Sequence, residues 1–179
     1  MNSLNIIQKL SKVACVLSYI VYVSTIIGII GCAVGAVILF GAGEYLKFGG
    51  ESLNALIKAH SDMSVPALYA VMLGGAVSCV GQLIVSKMAC GYFKGELEAG
   101  TPFTLDGASQ LMKLGISVIW IPTAATLASQ IVHDIIISLT DCVSHVNFAS
   151  GESVILGVTF VMVSLICRSA AELMQGKEI

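Results

Sequence analysis

The sequence predicts an all-α integral membrane protein, a four-helix bundle with a helical cytoplasmic elbow between its second and third spans. Charged residues make up only 11% of the 179 residues, whereas hydrophobic residues make up 56%. This composition lies outside the range of soluble globular domains. The charged residues and histidines also leave four long uncharged stretches between them, which is the pattern of a multi-pass membrane chain.

The four uncharged stretches are long enough, or nearly long enough, to cross a bilayer. They hold 31, 24, 19 and 15 residues and are Val13–Gly43, Met63–Ser86, Leu114–Val132 and Ser153–Cys167. A spanning helix needs about 20 predominantly apolar residues. The whole chain, 1–179, is predicted to be one domain. With flanking residues included, its spans are predicted at residues 13–40, 63–90, 112–134 and 152–174.

The N-terminus has a competing interpretation as a cleaved signal peptide, because Lys9 and Lys12 precede an apolar run. The apolar core of a signal peptide is only about 7–15 residues long. The run that starts at Val13 is about twice that length and has no convincing small-x-small cleavage site before a polar mature start, so we interpret it as a retained first span.

Five of the six cysteines fall inside the predicted spans or at their cytoplasmic ends, and none belongs to a C-x-x-C pair. Buried thiols behave as small apolar side chains. We therefore expect no structural disulfide within the chain.

The distribution of basic residues predicts the orientation. Seven of the nine Lys and Arg residues lie in the two terminal segments and between spans two and three, and only Lys47 and Lys58 lie on the other side. Because positive charge is enriched in cytoplasmic loops, both termini and the middle segment are predicted to be cytoplasmic.

The predicted outer side has two notable segments. Apolar residues at helical spacing predict a short helix over residues 51–60 in the first loop. The second loop is predicted to start at His133. The third span could continue into this loop as a helix through residues 135–137.

A metal site on the outer side is one hypothesis for its histidines and acids. Asp141 and His145 lie one helical turn apart, and His60 and His133 could converge with them. No spacing resembles a zinc signature. Solvated loop residues are the favoured interpretation, and no metal ligand is predicted.

The segment between spans two and three predicts a rigid elbow. The second helix can extend to Glu98 and end at Gly100, a residue suited to the left-handed conformation that ends helices. Pro102 prevents smooth continuation. Thr104 is a good N-cap for the next helix, and Asp106 brings negative charge to its first turn, where such charge is favoured.

Three short motifs surround this elbow: Phe93-Lys94 with Glu96-Leu97, Gly100-x-Pro102-Phe103-Thr104, and Leu111-x-Lys113-Leu114-Gly115-Ile116. Together they resemble the characteristic loop of a bacterial four-helix membrane family, domain of unknown function 2975. The resemblance implies four spans in the bacterial cytoplasmic (inner) membrane with both termini inside. Some family members are encoded beside a small DNA-binding regulator, which implies a link to regulation.

The chain departs from this family at two places. Met112 stands where the family usually has a basic residue. The C-terminus, residues 175–179, lacks the acidic Asp-Leu-Thr-Ile-like tail of many members. The resemblance carries no established activity.

Two features are candidate partner-binding sites. The first is the elbow, with Pro102, Phe103 and Thr104; turn chemistry alone explains Pro102 and Thr104, whereas Phe103 would be a binding anchor if exposed and a plug if buried. The second is Gly31-x-x-x-Gly35 on the first span, where small residues permit close helix contact. That contact could form within the monomer or between two copies.

The sequence favours a non-catalytic protein. It contains no H-E-x-x-H, G-x-S-x-G or phosphate-binding glycine loop, and no ionisable residue in mid-span. No catalytic residue or cofactor is predicted, and the lack of a basic cluster argues against nucleic acid as a partner. We expect a small regulatory, sensory or immunity-like membrane partner that contacts the lipid bilayer. The alternative is an oligomeric pore or an accessory subunit of a membrane transporter, which needs a polar stripe along a helix.

Overall fold

A computed structural model of the chain describes residues 3–39, 47–48, 51–52, 55, 64–100, 104–140, 146 and 152–175. The described residues form four long helices: α1 (Ser3–Val37), α2 (Val65–Ala99), α3 (Leu105–Thr140) and α4 (Glu152–Gln175). Each helix contains a stretch long and apolar enough to cross a membrane. The predicted all-α class with four membrane-length helices is therefore confirmed, and the chain is a multi-pass membrane protein.

Two of the helices are longer than a bilayer requires. α2 has 35 residues and α3 has 36, which at a rise of 1.5 Å per residue gives each a length of about 50 Å. The hydrocarbon core is only about 30 Å thick. Both helices therefore extend well beyond the spans predicted at residues 63–90 and 112–134.

The segment before α2 contains two short strands, β1 (Lys47–Phe48) and β2 (Glu51–Ser52). They pair antiparallel, with Phe48 opposite Glu51. The helix predicted for residues 51–60 is therefore wrong at its first two residues; Ala55, the other described residue of that range, is helical. The sequence between the paired residues is Gly-Gly, which favours tight hairpin turns and here overrides the helical spacing.

The end of α3 also differs from prediction. The sequence predicts a solvated His133, but α3 continues to Thr140 and only 1% of His133 is exposed. Its Nδ1 lies 3.1 Å from Oδ1 of Asp134. The solvated interpretation of His133 is therefore wrong, whereas the expected extension of the helix through residues 135–137 is confirmed.

The chain divides into two compact units, and α1, α2 and α3 each contribute to both. Unit 1 comprises Met1–Ser24, Gly81–Thr123 and Ser150–Ile179. Unit 2 comprises Thr25–Val80 and Ala124–Ala149.

Unit 1 has an apolar core built by α2 and α3. Its buried members are Tyr92, Leu111, Leu114 and Val118. Half-buried apolar side chains from α2 and α4 pack around them: Val85, Met88, Ala89, Phe93 and Phe160. This core lies next to the elbow and fixes the helices that carry it.

In unit 1, α3 and α4 come into close contact at a pair of glycines. A Cβ atom added to Gly115 would lie 3.0 Å from the carbonyl oxygen of Gly157, and one added to Gly157 would lie 2.8 Å from the carbonyl oxygen of Gly115. Nearby, the buried Ser164 hydroxyl donates to the carbonyl of Ala108 at 2.8 Å. The absence of side chains at both glycines permits this backbone contact.

Candidate functional sites: the elbow and the exposed face of α1

The α2 end of the elbow is a glycine C-cap. Gly100 has a φ of 72°, a left-handed conformation that only glycine adopts without strain. Its N–H donates to the carbonyl of Glu96 at 3.0 Å. The predicted helix end at Gly100 is confirmed.

The α3 end of the elbow is a threonine N-cap. The Thr104 hydroxyl accepts a hydrogen bond from the N–H of Gly107 at 3.0 Å, and its carbonyl accepts from Ala108 at 2.9 Å. Asp106 follows in the first turn and accepts from the amide of Gln110 at 2.8 Å. The predicted cap and its acidic first turn are confirmed.

The caps limit how the candidate docking residues of the elbow can contact a partner. The Thr104 hydroxyl already accepts a hydrogen bond as the N-cap, so a partner would contact Thr104 only together with the end of α3. Pro102 and Phe103 lie outside the described residues. Their role in docking therefore stays a prediction.

A hydrogen-bonded carboxylate lies one turn before the C-cap. Glu96 accepts a hydrogen bond at Oε2 from the hydroxyl of Ser11 on α1, at 3.2 Å. At Oε1 it accepts one from the hydroxyl of Tyr92 on its own helix. The carboxylate therefore ties the start of α1 to the end of α2 through uncharged donors.

A small cavity of about 60 Å³ adjoins this carboxylate. Its lining combines small and polar residues: Tyr92, Gly95, Glu96, Ala99, Thr104, Asp106, Gly107 and Gln110. Pockets for organic ligands usually measure about 300–1,000 Å³. The cavity is therefore sized for a few water molecules around the carboxylate.

The contact between Ser11 and Glu96 is not predicted by the sequence. Glu96 belongs to the elbow motif, but neither residue is marked there as part of a contact. The two residues are 85 positions apart and meet only because α1 and α2 pack in one particular register. Neighbouring residues in the sequence do not indicate how the two helices are aligned.

The two glycines predicted as a contact on α1 face different surroundings. A Cβ atom at Gly35 would lie 3.3 Å from Sδ of Met72, so Gly35 packs against α2. Seven residues earlier on α1, a Cβ atom at Gly28 would lie 3.4 Å from Sγ of Cys79. A Cβ atom at Gly31 would have nothing within 4 Å, and Gly31 is exposed. The Gly31-x-x-x-Gly35 motif is thus divided between an internal contact and an open surface.

Gly31 belongs to an exposed stripe that runs along α1. Its members alternate at spacings of four and three residues: Val13, Leu17, Ile20, Ser24, Ile27, Gly31 and Val34. All seven are exposed, with the apolar side chains at 52–64%. This alternation is the seam pattern of helices that pack against another helix. We refer to these seven residues as the α1 stripe.

α1 is also the least covered of the four helices. Only 6% of its most apolar window is buried, compared with 17–22% in the other three. A membrane helix that buries so little within its own chain presents most of its surface to lipid or to another protein.

Four of the described hydroxyl groups in the spans donate hydrogen bonds to backbone carbonyls. Thr123, Ser129 and Thr159 each donate to the carbonyl four residues earlier, at 2.6–2.9 Å. Ser164 bridges to α3 at Ala108, as described above. These four groups stabilise helices and helix contacts.

Metal ligation has no support in the part of the chain that the structure describes. There, no group of three His, Cys, Asp or Glu side chains could hold a metal ion. His60, Asp141 and His145 lie outside the described residues, so the outer-side metal hypothesis that includes them is untested.

No protein-family model, curated protein or solved structure matches the chain.

Proposed function

We propose that the chain is a non-catalytic protein of the bacterial cytoplasmic membrane that acts by binding another membrane protein through α1. The role fits a small regulatory, sensory or immunity-like partner. The membrane type rests on the resemblance to domain of unknown function 2975. The orientation, with both termini in the cytoplasm, rests on the distribution of lysine and arginine.

The α1 stripe carries this proposal. Gly31 lowers helix propensity by about 1 kcal/mol relative to alanine in water, and no described residue of unit 2 lies within 4 Å of its Cβ position. Ser24 is the second small residue of the stripe, seven positions earlier. Small residues at such spacing let a second helix approach closely, whereas contact with fluid lipid needs no small residues at all.

The elbow is the second proposed contact. Its two ends are fixed by the caps at Gly100 and Thr104. Phe103, an aromatic residue between these ends, is proposed as an anchor for a cytoplasmic partner. Aromatic anchors contribute much of the energy of protein interfaces.

Photo-crosslinking in the native membrane tests the α1 contact. We would place a photoreactive amino acid at Ile27, on the stripe, and separately at Ile30, which has a similar exposure of 57% but lies off the stripe. We expect a discrete crosslinked protein from Ile27 and not from Ile30. A Gly31→Leu substitution should abolish that crosslink, because its side chain blocks close approach. Mass spectrometry then identifies the captured protein as a second copy or a different chain.

The pore or transporter-subunit alternative gives a different result. If neither position captures a protein, and the purified chain conducts ions or solutes in liposomes, the partner proposal is wrong. Gly31→Leu should leave the thermal stability of the purified protein unchanged, because the site is open. A loss of stability would instead assign Gly31 to packing within the chain.

A further inference from the structure

Two cysteine side chains meet at the contact between α1 and α2 in unit 2. The sulfurs of Cys32 on α1 and Cys79 on α2 both lie in this contact, each within 3.5 Å of a Cβ position on the opposite helix. Both are free thiols. They are separated by 46 residues of sequence and are brought together only by helix packing.

Glycines create the space for this contact in a reciprocal arrangement. On each helix a cysteine follows a glycine by four residues, as Gly28-x-x-x-Cys32 and Gly75-x-x-x-Cys79. A Cβ atom at Gly75 would lie 3.5 Å from Sγ of Cys32, and one at Gly28 would lie 3.4 Å from Sγ of Cys79. Each thiol therefore lies over a glycine of the opposite helix, and both thiols belong to the same helix contact.

The location of the pair determines which oxidants can act on it. Both cysteines lie within helix segments apolar enough to cross the membrane. Thiolates, which react with most aqueous oxidants, are disfavoured in apolar surroundings. An oxidant for this pair must therefore enter the membrane and accept protons together with electrons, as quinones do.

We propose that Cys32 and Cys79 are an oxidisable dithiol that a membrane quinone converts into a disulfide joining α1 to α2. In the reaction both S–H bonds break and one S–S bond forms. The two electrons and two protons released reduce the quinone to its hydroquinone. The resulting disulfide would restrain the two helices next to each other inside the membrane, and it does not depend on the partner proposed for the α1 stripe.

The test uses the full chain reconstituted in liposomes and treated with the short-chain quinone decylubiquinone. After denaturation, free thiols are alkylated and the peptides are mapped by mass spectrometry. We expect Cys32 and Cys79 to lose alkylation together and to appear as one linked peptide pair. Cys32→Ala should leave Cys79 fully alkylated, and a dithiol reductant should restore both sites in the wild type.

Cys15 and Cys90 supply a matched comparison, because they are also on α1 and α2 but lie in unit 1. A double variant, Cys15→Ala with Cys90→Ala, should link Cys32 to Cys79 as the wild type does. Equal or greater linkage of Cys15 to Cys90 would overturn the assignment to Cys32 and Cys79. Linkage with copper phenanthroline but not with the quinone would overturn the proposed oxidant, and linkage with neither reagent would overturn the thiol geometry.

Discussion

The α3–α4 contact of unit 1 and the α1–α2 contact of unit 2 both contain glycines, but they differ greatly in their tolerance of a side chain at those glycines. At the first, a Cβ atom on Gly157 would meet a backbone oxygen at 2.8 Å and would also overlap the side chain of Ile119. At the second, Cβ atoms on Gly28 and Gly75 would meet sulfur atoms at 3.4 and 3.5 Å, which is ordinary contact. Backbone cannot move aside cheaply, whereas a contact at van der Waals distance requires no movement. The same residue type is therefore obligatory in one contact and replaceable in the other.

The largest effect is expected for alanine at the α3–α4 contact. Gly157→Ala should destabilise the protein by about 3 kcal/mol, and Gly115→Ala by about 2 kcal/mol, because overpacking forces backbone shifts. Unfolding of the purified protein, followed by fluorescence of its single tryptophan, measures both. If both variants unfold as the wild type does, α3 and α4 are not in backbone contact.

A smaller effect is expected at the elbow. Gly100→Ala places a side chain at a φ of 72°, which costs about 1–2 kcal/mol for a residue with a Cβ atom. Gly91→Ala is the matched control, since it lies on the same helix with nothing within 4 Å of its Cβ position. The control should be neutral or slightly stabilising in the same unfolding experiment. Equal losses for both variants would show that helix composition, and not the cap, causes the effect.

The ends of the elbow could be predicted from sequence because they depend on neighbouring residues. Gly100 and Thr104 act on backbone groups three or four positions away, and turn chemistry is local. The four helices could also be predicted, from the spacing of charge. Gly157 and the bond between Ser11 and Glu96 could not be predicted, because they depend on the register of distant helices.

Two local predictions failed for physical reasons that the sequence also contains. At Glu51–Ser52 the Gly-Gly sequence that precedes these residues favours a hairpin over the predicted helix. At His133, a titratable residue near the end of a span suggested a solvated side chain, although the helix continues beyond it and the side chain is buried. A charge count locates the edges of spans but does not distinguish a buried polar residue from a solvated one. The docking residues Pro102 and Phe103 remain predictions, and so does the family resemblance.

The polar part of the α3–α4 contact should contribute less than its glycines. Ser164→Ala removes the hydrogen bond to the carbonyl of Ala108, and such bonds in membrane proteins average about 0.6 kcal/mol. Thr159→Ala is the control on the same helix, because its exposed hydroxyl bonds only to its own helix. We expect a measurable loss of unfolding free energy for Ser164→Ala alone. A larger loss for Thr159→Ala would place the energetic contact on the opposite face of α4.

The smallest effect is expected at the α1–α2 contact. Gly75→Ala adds a methyl group 3.5 Å from the Cys32 sulfur, and the alanine gains helix propensity of up to about 1 kcal/mol. Because the contact itself costs little, we expect no loss of unfolding free energy, and any gain should stay below about 1 kcal/mol. The decisive measurement compares Gly75→Ala with Gly157→Ala in one experiment. A loss at Gly75 as large as that at Gly157 would mean that α1 and α2 are also in backbone contact, and the contrast between the two interfaces would disappear. A neutral result would show that the glycines of α1 and α2 leave room for the two thiols without being required for the fold.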